Sequence, residues 1–290
     1  MKNNNDDGKL DELKIRESLS TKSKSSIKLQ TRKFNTCMKN GMMSISTKSY
    51  KQALDYFDNA IRLDPTQWES WNAKAVTLRR VKRYDECISC CDEAIRLDAE
   101  NPTPLSNKAW SLFELNRYDE CISCCDEAIR LDGRKLIPML QKSESLFELK
   151  RYDECISYCD AILQVVPEYP GPWVYKAGSL IELKLYDEVR DFIDKGILIF
   201  EKNIPDVNDE SLFLRTSTML TIKGMKAGLL AELKQYDESI LYLNQSIKLH
   251  PKSNELWIMK GEILKEMGKE KEAELCFTTA RKLEEEMNDE

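Results

Sequence analysis

Apolar and small residues recur along this chain with a period of 34 residues. The segment RYDECISCCDEAIRLD begins at Arg83 and recurs unchanged at Arg117, and RYDECISYCDAI begins at Arg151. Self-similarity at a fixed period of this length is typical of solenoids, whose repeats pack only against their neighbours. The frame set by Pro65 divides the chain into seven repeats: 34–67, 68–101, 102–135, 136–169, 170–203, 220–253 and 254–287.

The pattern inside each repeat predicts two antiparallel helices. Positions 4, 8 and 11 lie on one face of a first helix, and positions 20, 24 and 27 lie on one face of a second. Because two helices approach closely only where side chains are small, position 8 should mark their contact. That position is occupied in order by Gly41, Ala75, Ala109, Ser143, Ala177, Ala227 and Gly261. The chain is therefore predicted to be all-α.

Further positions carry a resemblance to a known family. Position 4 is Trp in three repeats, position 11 is Leu in six, position 17 is Tyr in six and position 32 is Pro in three. This pattern resembles the tetratricopeptide repeat over residues 34–287, apart from one insertion. The resemblance implies a right-handed α-solenoid of about seven helix-turn-helix repeats, whose concave groove binds a peptide or helix of another protein. The departures from the family pattern are Cys37, Ser44, Gly196, Glu201 and Glu270, together with Ala161, which falls one place early in the fourth repeat.

The segments outside the repeats complete the predicted domain organisation. Residues 1–33 are interpreted as a flexible polar and basic tail, and 288–290 as a short C-terminal tail. An alternative is that the N-terminal tail is a phosphorylatable arm, with Ser23, Ser25 and Ser26 as switches. Residues 204–219 are an insertion between the five repeats of 34–203 and the two of 220–287. We expect it to extend the next helix, capped at Asn208 or Asp209, to about Leu233.

Charge and motifs narrow the function. The formal net charge of −6 argues against general nucleic-acid binding, which needs a broad basic surface. No apolar run is long enough to span a membrane, and the N-terminal twenty residues lack an apolar signal core. The cytoplasm is thus the expected compartment, with the nucleus as the alternative. His250 is the only histidine and no phosphate-binding glycine motif occurs, so we expect no catalysis, cofactor or small-molecule substrate.

The cysteines suggest two interpretations. Cys87, Cys90 and Cys91 lie on one face of a predicted helix, and the triplet recurs one repeat later. Zinc needs four ligands in a tetrahedron, which this helical spacing does not supply. Free cysteine packs as a small apolar residue, so we expect a packing role and no metal. A cysteine-based zinc or redox sensor remains the alternative function.

The family resemblance also allows a test for the carboxylate clamp that some members use on chaperone C-termini. The clamp positions hold Asn72, Val76, Asn107, Ile137 and Gln141, of which only Asn107 matches, so a co-chaperone-like adaptor would have to lack the clamp. Other groove positions are apolar without an obvious internal partner, and Glu114, Glu148 and Glu182 lie beside them. We therefore predict a protein partner with an apolar face and basic flanks. The candidate groove residues are Asn72, Asn107, Trp110, Phe113, Leu140, Phe147, Val174 and Ile181.

Overall fold

A computed structural model describes residues 27–202 and 210–288, and every regular element in these ranges is an α-helix. The prediction of an all-α chain of consecutive helical repeats is confirmed. The helices are α1 (27–46), α2 (Tyr50–Leu63), α3 (Trp68–Arg80), α4 (Tyr84–Leu97), α5 (Pro102–Glu114), α6 (Tyr118–Leu131), α7 (Leu136–Glu148), α8 (Tyr152–Val165), α9 (Pro170–Glu182), α10 (Tyr186–Lys202), α11 (Glu210–Glu232), α12 (Tyr236–Leu249), α13 (Asn254–Glu266) and α14 (Glu270–Asn288).

The chain divides into two compact units, and the division lies within α7. Unit 1 ends at Gln141 and unit 2 begins at Lys142. Unit 1 contains α1 to α6 and the first residues of α7, and unit 2 contains the rest of α7 and α8 to α14. The same repeat packing occurs inside each unit.

Helix α1 begins earlier than the sequence pattern indicated. Residues 27–33 are helical, so their assignment to a flexible tail is wrong, and Gln30 Nε2 donates a hydrogen bond to the carbonyl of Leu63. The segment KLQTRK holds mainly good helix formers and no glycine or proline. Extending an existing helix is easier than starting one, so the first helix continues backwards through them. The serines of the hypothetical arm lie outside the described residues.

Helix α11 is the long first helix of the sixth repeat. It has 23 residues, whereas α9 and α13 have 13 each. Its additional residues lie in the insertion, and the helix ends at Glu232, one residue before the expected end. The expected capping residues Asn208 and Asp209 lie outside the described residues.

The turn inside each repeat has a left-handed residue at position 15. In the second repeat the N–H of Lys82 donates to the carbonyl of Arg79 at 3.0 Å, and the N–H of Arg83 donates to that of Leu78 at 2.9 Å. This pair of bonds ends a helix by the Schellman pattern and satisfies two terminal carbonyls. It requires a positive φ, which each repeat adopts at one residue: Lys48, Lys82, Asn116, Lys150, Lys184, Lys234 and Gly268.

Positions 8 and 24 compensate each other in size where the two helices of a repeat meet. A Cβ added to Gly41 would lie 2.5 Å from the ring of Phe57, and one added to Gly261 would lie 2.6 Å from that of Phe277. In the second repeat the pair is Ala75 and Cys91, both fully buried in one core cluster. Phenylalanine at position 24 therefore coincides with glycine at position 8, because its ring fills the space between the two helices.

Ion pairs join successive repeats at four junctions within the described residues. A lysine at position 7 of one repeat contacts the aspartate at position 25 of the repeat before it, and the lysine side chains are mostly shielded from water. Because only the aspartates are well exposed, these pairs are screened less than ordinary surface pairs. The described pairs within each unit are Lys74–Asp58 (2.6 Å), Lys108–Asp92 (2.6 Å), Lys176–Asp160 (2.5 Å) and Lys226–Asp194.

A tryptophan at position 4 is also tied to the preceding repeat. Its indole N–H donates to the carbonyl of the proline at position 32, which ends the previous helix. Every repeat with Trp at position 4 follows a repeat with Pro at position 32, so the two residues act together. The bonds are Trp71 to Pro65 (3.0 Å), Trp173 to Pro167 (2.8 Å) and Trp257 to Pro251 (3.1 Å).

The size compensation at positions 8 and 24 can be tested in the last repeat. Gly261→Ala should destabilise the protein by about 1–3 kcal/mol, because the new methyl group overlaps the Phe277 ring. Adding Phe277→Leu should remove much of this loss, which chemical denaturation of the single and double variants would measure. The matched control is Gly224→Ala, where a Cβ meets no described atom within 4 Å and should not lower stability. Equal losses from both glycine substitutions would contradict the packing argument.

Candidate functional site

A groove in unit 1 encloses a cavity of about 860 Å³. Its walls come from the end of α3, the outer face of α5 and the start of α7, and Tyr84 closes one end. These helices are the first helices of three successive repeats. A cavity of this size lies within the range of about 300–1,000 Å³ that is usual for ligand pockets.

Trp110 is the tryptophan of this groove. It lies on α5 and remains 40% exposed. The Arg79 guanidinium lies over its ring, 4.7 Å from the centroid, a cation–π contact that fixes the indole from one side. Nearby, Asn107 Nδ2 donates to Asn72 Oδ1 at 2.9 Å, which orients the Asn107 amide at the groove wall. The groove thus combines an exposed aromatic face with an ordered amide.

The groove is rich in positive charge. Its lining contains five cations against one carboxylate, that of Glu114. The cations are Arg79, Arg80, Lys82, Arg134 and Lys135.

Most of these cations have no acidic partner. Among the described residues, only Arg134 has a carboxylate within 4 Å, that of Asp132 at 3.9 Å. The Nε of Arg79 is buried and donates to no acceptor in the described part of the chain. Partial burial lowers the pKa of the Arg79 guanidinium from its usual value, because the charged form loses water without gaining an anion. The groove therefore contains cations, such as Arg80 and Lys135, that no carboxylate of the described residues neutralises.

The glutamates at position 13 hold neighbouring repeats together. The Tyr84 hydroxyl donates to Glu114 at 3.0 Å, and the Tyr152 hydroxyl donates to Glu182 at 3.5 Å. The pKa of the Tyr84 phenol is raised, first by loss of water and then by this bond to a carboxylate. Glu114 and Glu182 thus have an internal role, which weakens their interpretation as a rim that selects basic flanks.

Phe113 and Phe147 have internal partners, contrary to the expectation from sequence. Phe113 packs against the buried core around Leu112 and meets the Tyr118 ring edge-on at 5.4 Å. Phe147 meets the Tyr152 ring edge-on at 5.5 Å and also lies beside Gly178. Both rings are at position 12, one residue after the buried leucine, where they contact the tyrosine of the next helix. Each ring is half-buried and is partly used in this internal contact.

The other predicted groove residues are distributed between the units. Asn107 and Trp110 line the unit 1 groove, with Asn72 bonded to Asn107. Leu140 and Val174 are half-buried and line none of the described cavities. Ile181 lines a separate cavity of about 450 Å³ in unit 2, together with residues of α11 and α13 such as Met225 and Met259.

The basic residues of the unit 1 groove were not predicted, because neither the apolar groove positions nor the total charge of the chain indicates them. A signal was present at position 13, which is Arg80 in the second repeat but glutamate in the next five. Another was the loop sequence Gly133-Arg134-Lys135, which begins at position 32, where three other repeats have proline. Neither signal shows from sequence alone that the two groups of cations share one groove.

The cysteines lie in the core between paired helices. Eight are buried, and no group of metal-binding side chains suited to an ion occurs in the described ranges. Cys155 Sγ donates to the carbonyl of Ser143 at 3.4 Å, and at the equivalent place in the sixth repeat Ser239 Oγ donates to that of Ala227 at 2.6 Å. A small donor thus suits position 20, whether thiol or hydroxyl. Burial raises the pKa of the Cys90 thiol to about 11.

Comparison with protein families identifies the repeat. One tetratricopeptide repeat model matches residues 56–89, and another matches residues 104–134, 220–253 and 255–286. No curated protein sequence matches this chain. None of the described helices has the length and apolar character needed to cross a membrane.

Solved structures show a similar fold. A tetratricopeptide repeat protein from Parabacteroides merdae ATCC 43184 aligns with a TM-score of 0.68 at 14% identity, over 87% of this chain and 93% of that one. The pilF protein of Pseudomonas aeruginosa aligns with a TM-score of 0.59 at 18% identity, over 82% of this chain and 99% of that one. The MamA protein gives a TM-score of 0.57 at 13% identity, over 61% and 98%. At such identities the likeness concerns the fold alone.

The packing role of the cysteines predicts a specific pattern of thiol reactivity. In native protein a thiol reagent should reach Cys37 and Cys124, the two half-exposed cysteines, and should reach all ten only after denaturation. Cys124 should react more slowly than Cys37 at pH 8, because burial raises its pKa to about 11 and leaves little thiolate. Kinetic titration of wild type and Cys37→Ser would show this. Rapid native reaction of more than two thiols would contradict it, as would stoichiometric zinc in protein purified without chelator.

Proposed function

This chain is a tetratricopeptide repeat protein, and from that premise we propose that it is a protein-interaction scaffold whose unit 1 groove binds a peptide segment of another protein. The observation that supports this most is the exposure of Trp110 inside a cavity of about 860 Å³. Large aromatic side chains at the centre of a concave surface are frequent anchors of binding energy. The ring and helices around it are already fixed, so little order would be lost on binding.

The groove offers both apolar and polar contacts to a peptide. Ile137, which is 61% exposed, adds apolar surface at the start of α7. The single bond from Asn107 to Asn72 uses one amide N–H, so the Oδ1 and the second N–H of Asn107 can bond a peptide backbone. A bound segment could thus place one apolar side chain against Trp110 while its backbone meets the amide.

A site-specific cross-linking experiment tests this function. A photo-reactive phenylalanine analogue replaces Ile137 in the groove or, as a control, Ser123, which is exposed on α6 and lies outside the groove lining. Irradiation in cells should cross-link the variant with the analogue at position 137 to a partner protein, giving one adduct of defined mass. The variant with the analogue at position 123 should give no adduct of that mass.

A second substitution shows whether this adduct depends on the aromatic anchor. Adding Trp110→Ala should remove the adduct from position 137, provided that circular dichroism and melting show the fold intact. An adduct that forms equally from both positions, or that persists without Trp110, would contradict binding in this groove.

A further inference from the structure

We propose that the unit 1 groove selects acidic peptide segments, in which aspartates or glutamates flank one aromatic or aliphatic side chain. This inference rests on the proposed peptide-binding function and specifies the chemistry of the occupant. It reverses the charge preference expected from the glutamates in the sequence.

The first argument is the position of the cations around Trp110. Arg79 and Arg80 end α3, which belongs to the repeat before that of Trp110. Arg134 and Lys135 lie in the loop that precedes α7, the first helix of the following repeat. All four line the same cavity as Trp110. A peptide with an apolar side chain on the indole could therefore place carboxylates near cations on both sides, from the end of α3 and from the loop before α7.

The second argument is that these cations are not neutralised by the protein. Arg80, Lys82 and Lys135 form no ion pair with any described residue, in contrast to the lysines at position 7, which contact aspartates. The Arg79 guanidinium is partly buried, and the loss of water lowers its pKa from the usual value. Loss of water around a charged donor is unfavourable unless an anion or acceptor replaces it. A carboxylate is the group that meets this requirement, and arginine can bind it through two parallel hydrogen bonds.

The third argument is that the charge is local and departs from the repeat pattern. The chain as a whole is acidic, with a net charge of −6. Position 13 is glutamate in the five repeats that follow, whereas the second repeat has Arg80 there. The cations also lie outside the clamp positions, which hold Asn72, Val76, Asn107, Ile137 and Gln141. The groove is thus a distinct basic surface on an acidic protein.

A short acidic segment fits this surface better than a nucleic acid. An extended polyanion would continue beyond the groove across a surface that is acidic overall, and its charge would be repelled there. Binding of single strands also relies on successive aromatic platforms, whereas Trp110 is the one tryptophan that lines this cavity. A peptide with a few carboxylates and one apolar side chain uses both features of the groove without extending past it.

Fluorescence anisotropy with synthetic probes tests the charge preference. The probes are labelled twelve-residue peptides with a central Trp or Leu, flanked by mixed Asp and Glu, by Gln and Asn, or by Lys. The full chain should bind an acidic probe at least tenfold more tightly than the neutral probe and should not bind the lysine probe. The affinity for the acidic probe should fall as salt rises from 50 to 300 mM, because exposed charges are then screened.

A charge-reversal variant locates the effect. Arg80→Glu with Lys135→Glu should abolish binding of the acidic probe and give measurable binding of the lysine probe. The matched control is Arg96→Glu with Arg130→Glu, which makes the same change in net charge at exposed positions outside the groove and should bind like wild type.

The possible results separate this inference from the proposed function. Binding of the neutral probe as tightly as the acidic one, with loss on Trp110→Ala, would overturn the charge preference and leave peptide binding in the groove supported. Equal loss in the control variant would overturn the location. Failure of every acidic probe to bind at 50 mM salt, or tighter binding of a labelled single-stranded oligonucleotide, would overturn the inference itself.

Discussion

The fixed spacing between the two helices of a repeat is the constraint on which the rest of the structure depends. Where position 24 is phenylalanine, position 8 is glycine, and a single added Cβ would overlap the ring at 2.5 Å in the first repeat. Where position 24 is cysteine, position 8 is alanine or serine. A phenylalanine ring at position 24 leaves no room for a Cβ at position 8, because protein interiors are close-packed and yield little. This spacing keeps the first helices in register, so that their outer faces can form a groove.

The same constraint gives a structural account of the cysteines. A thiol is small enough for the helix contact and donates weakly to a carbonyl, as Cys155 does to Ser143. The sixth repeat uses Ser239 for the same bond, and other repeats have alanine or valine at this position, so sulfur is not required there. The regular spacing of the cysteines then follows from duplication of one packing arrangement, and this explanation requires no metal site.

Polar contacts between repeats explain which charges are available to a partner. The lysines at position 7 are occupied by aspartates of the preceding repeat, and Glu114 and Glu182 accept bonds from tyrosines. These groups belong to the stacking of one repeat on the next. The cations around Trp110 have no such partner, and so the groove has a charge opposite to that of the whole protein.

The sequence by itself determined the repeat, the pair of helices in each repeat and the small residues where those helices meet. These features depend on contacts within one repeat or between adjacent repeats, and a period of 34 residues displays them directly. Only the tertiary structure decided that Trp110 is exposed while Phe113 and Phe147 are packed against tyrosines. It also placed Arg79 and Lys135 in one groove. A groove combines residues from successive repeats. Its charge depends on which side chains the fold brings together, and neither the 34-residue period nor the net charge of the chain shows this.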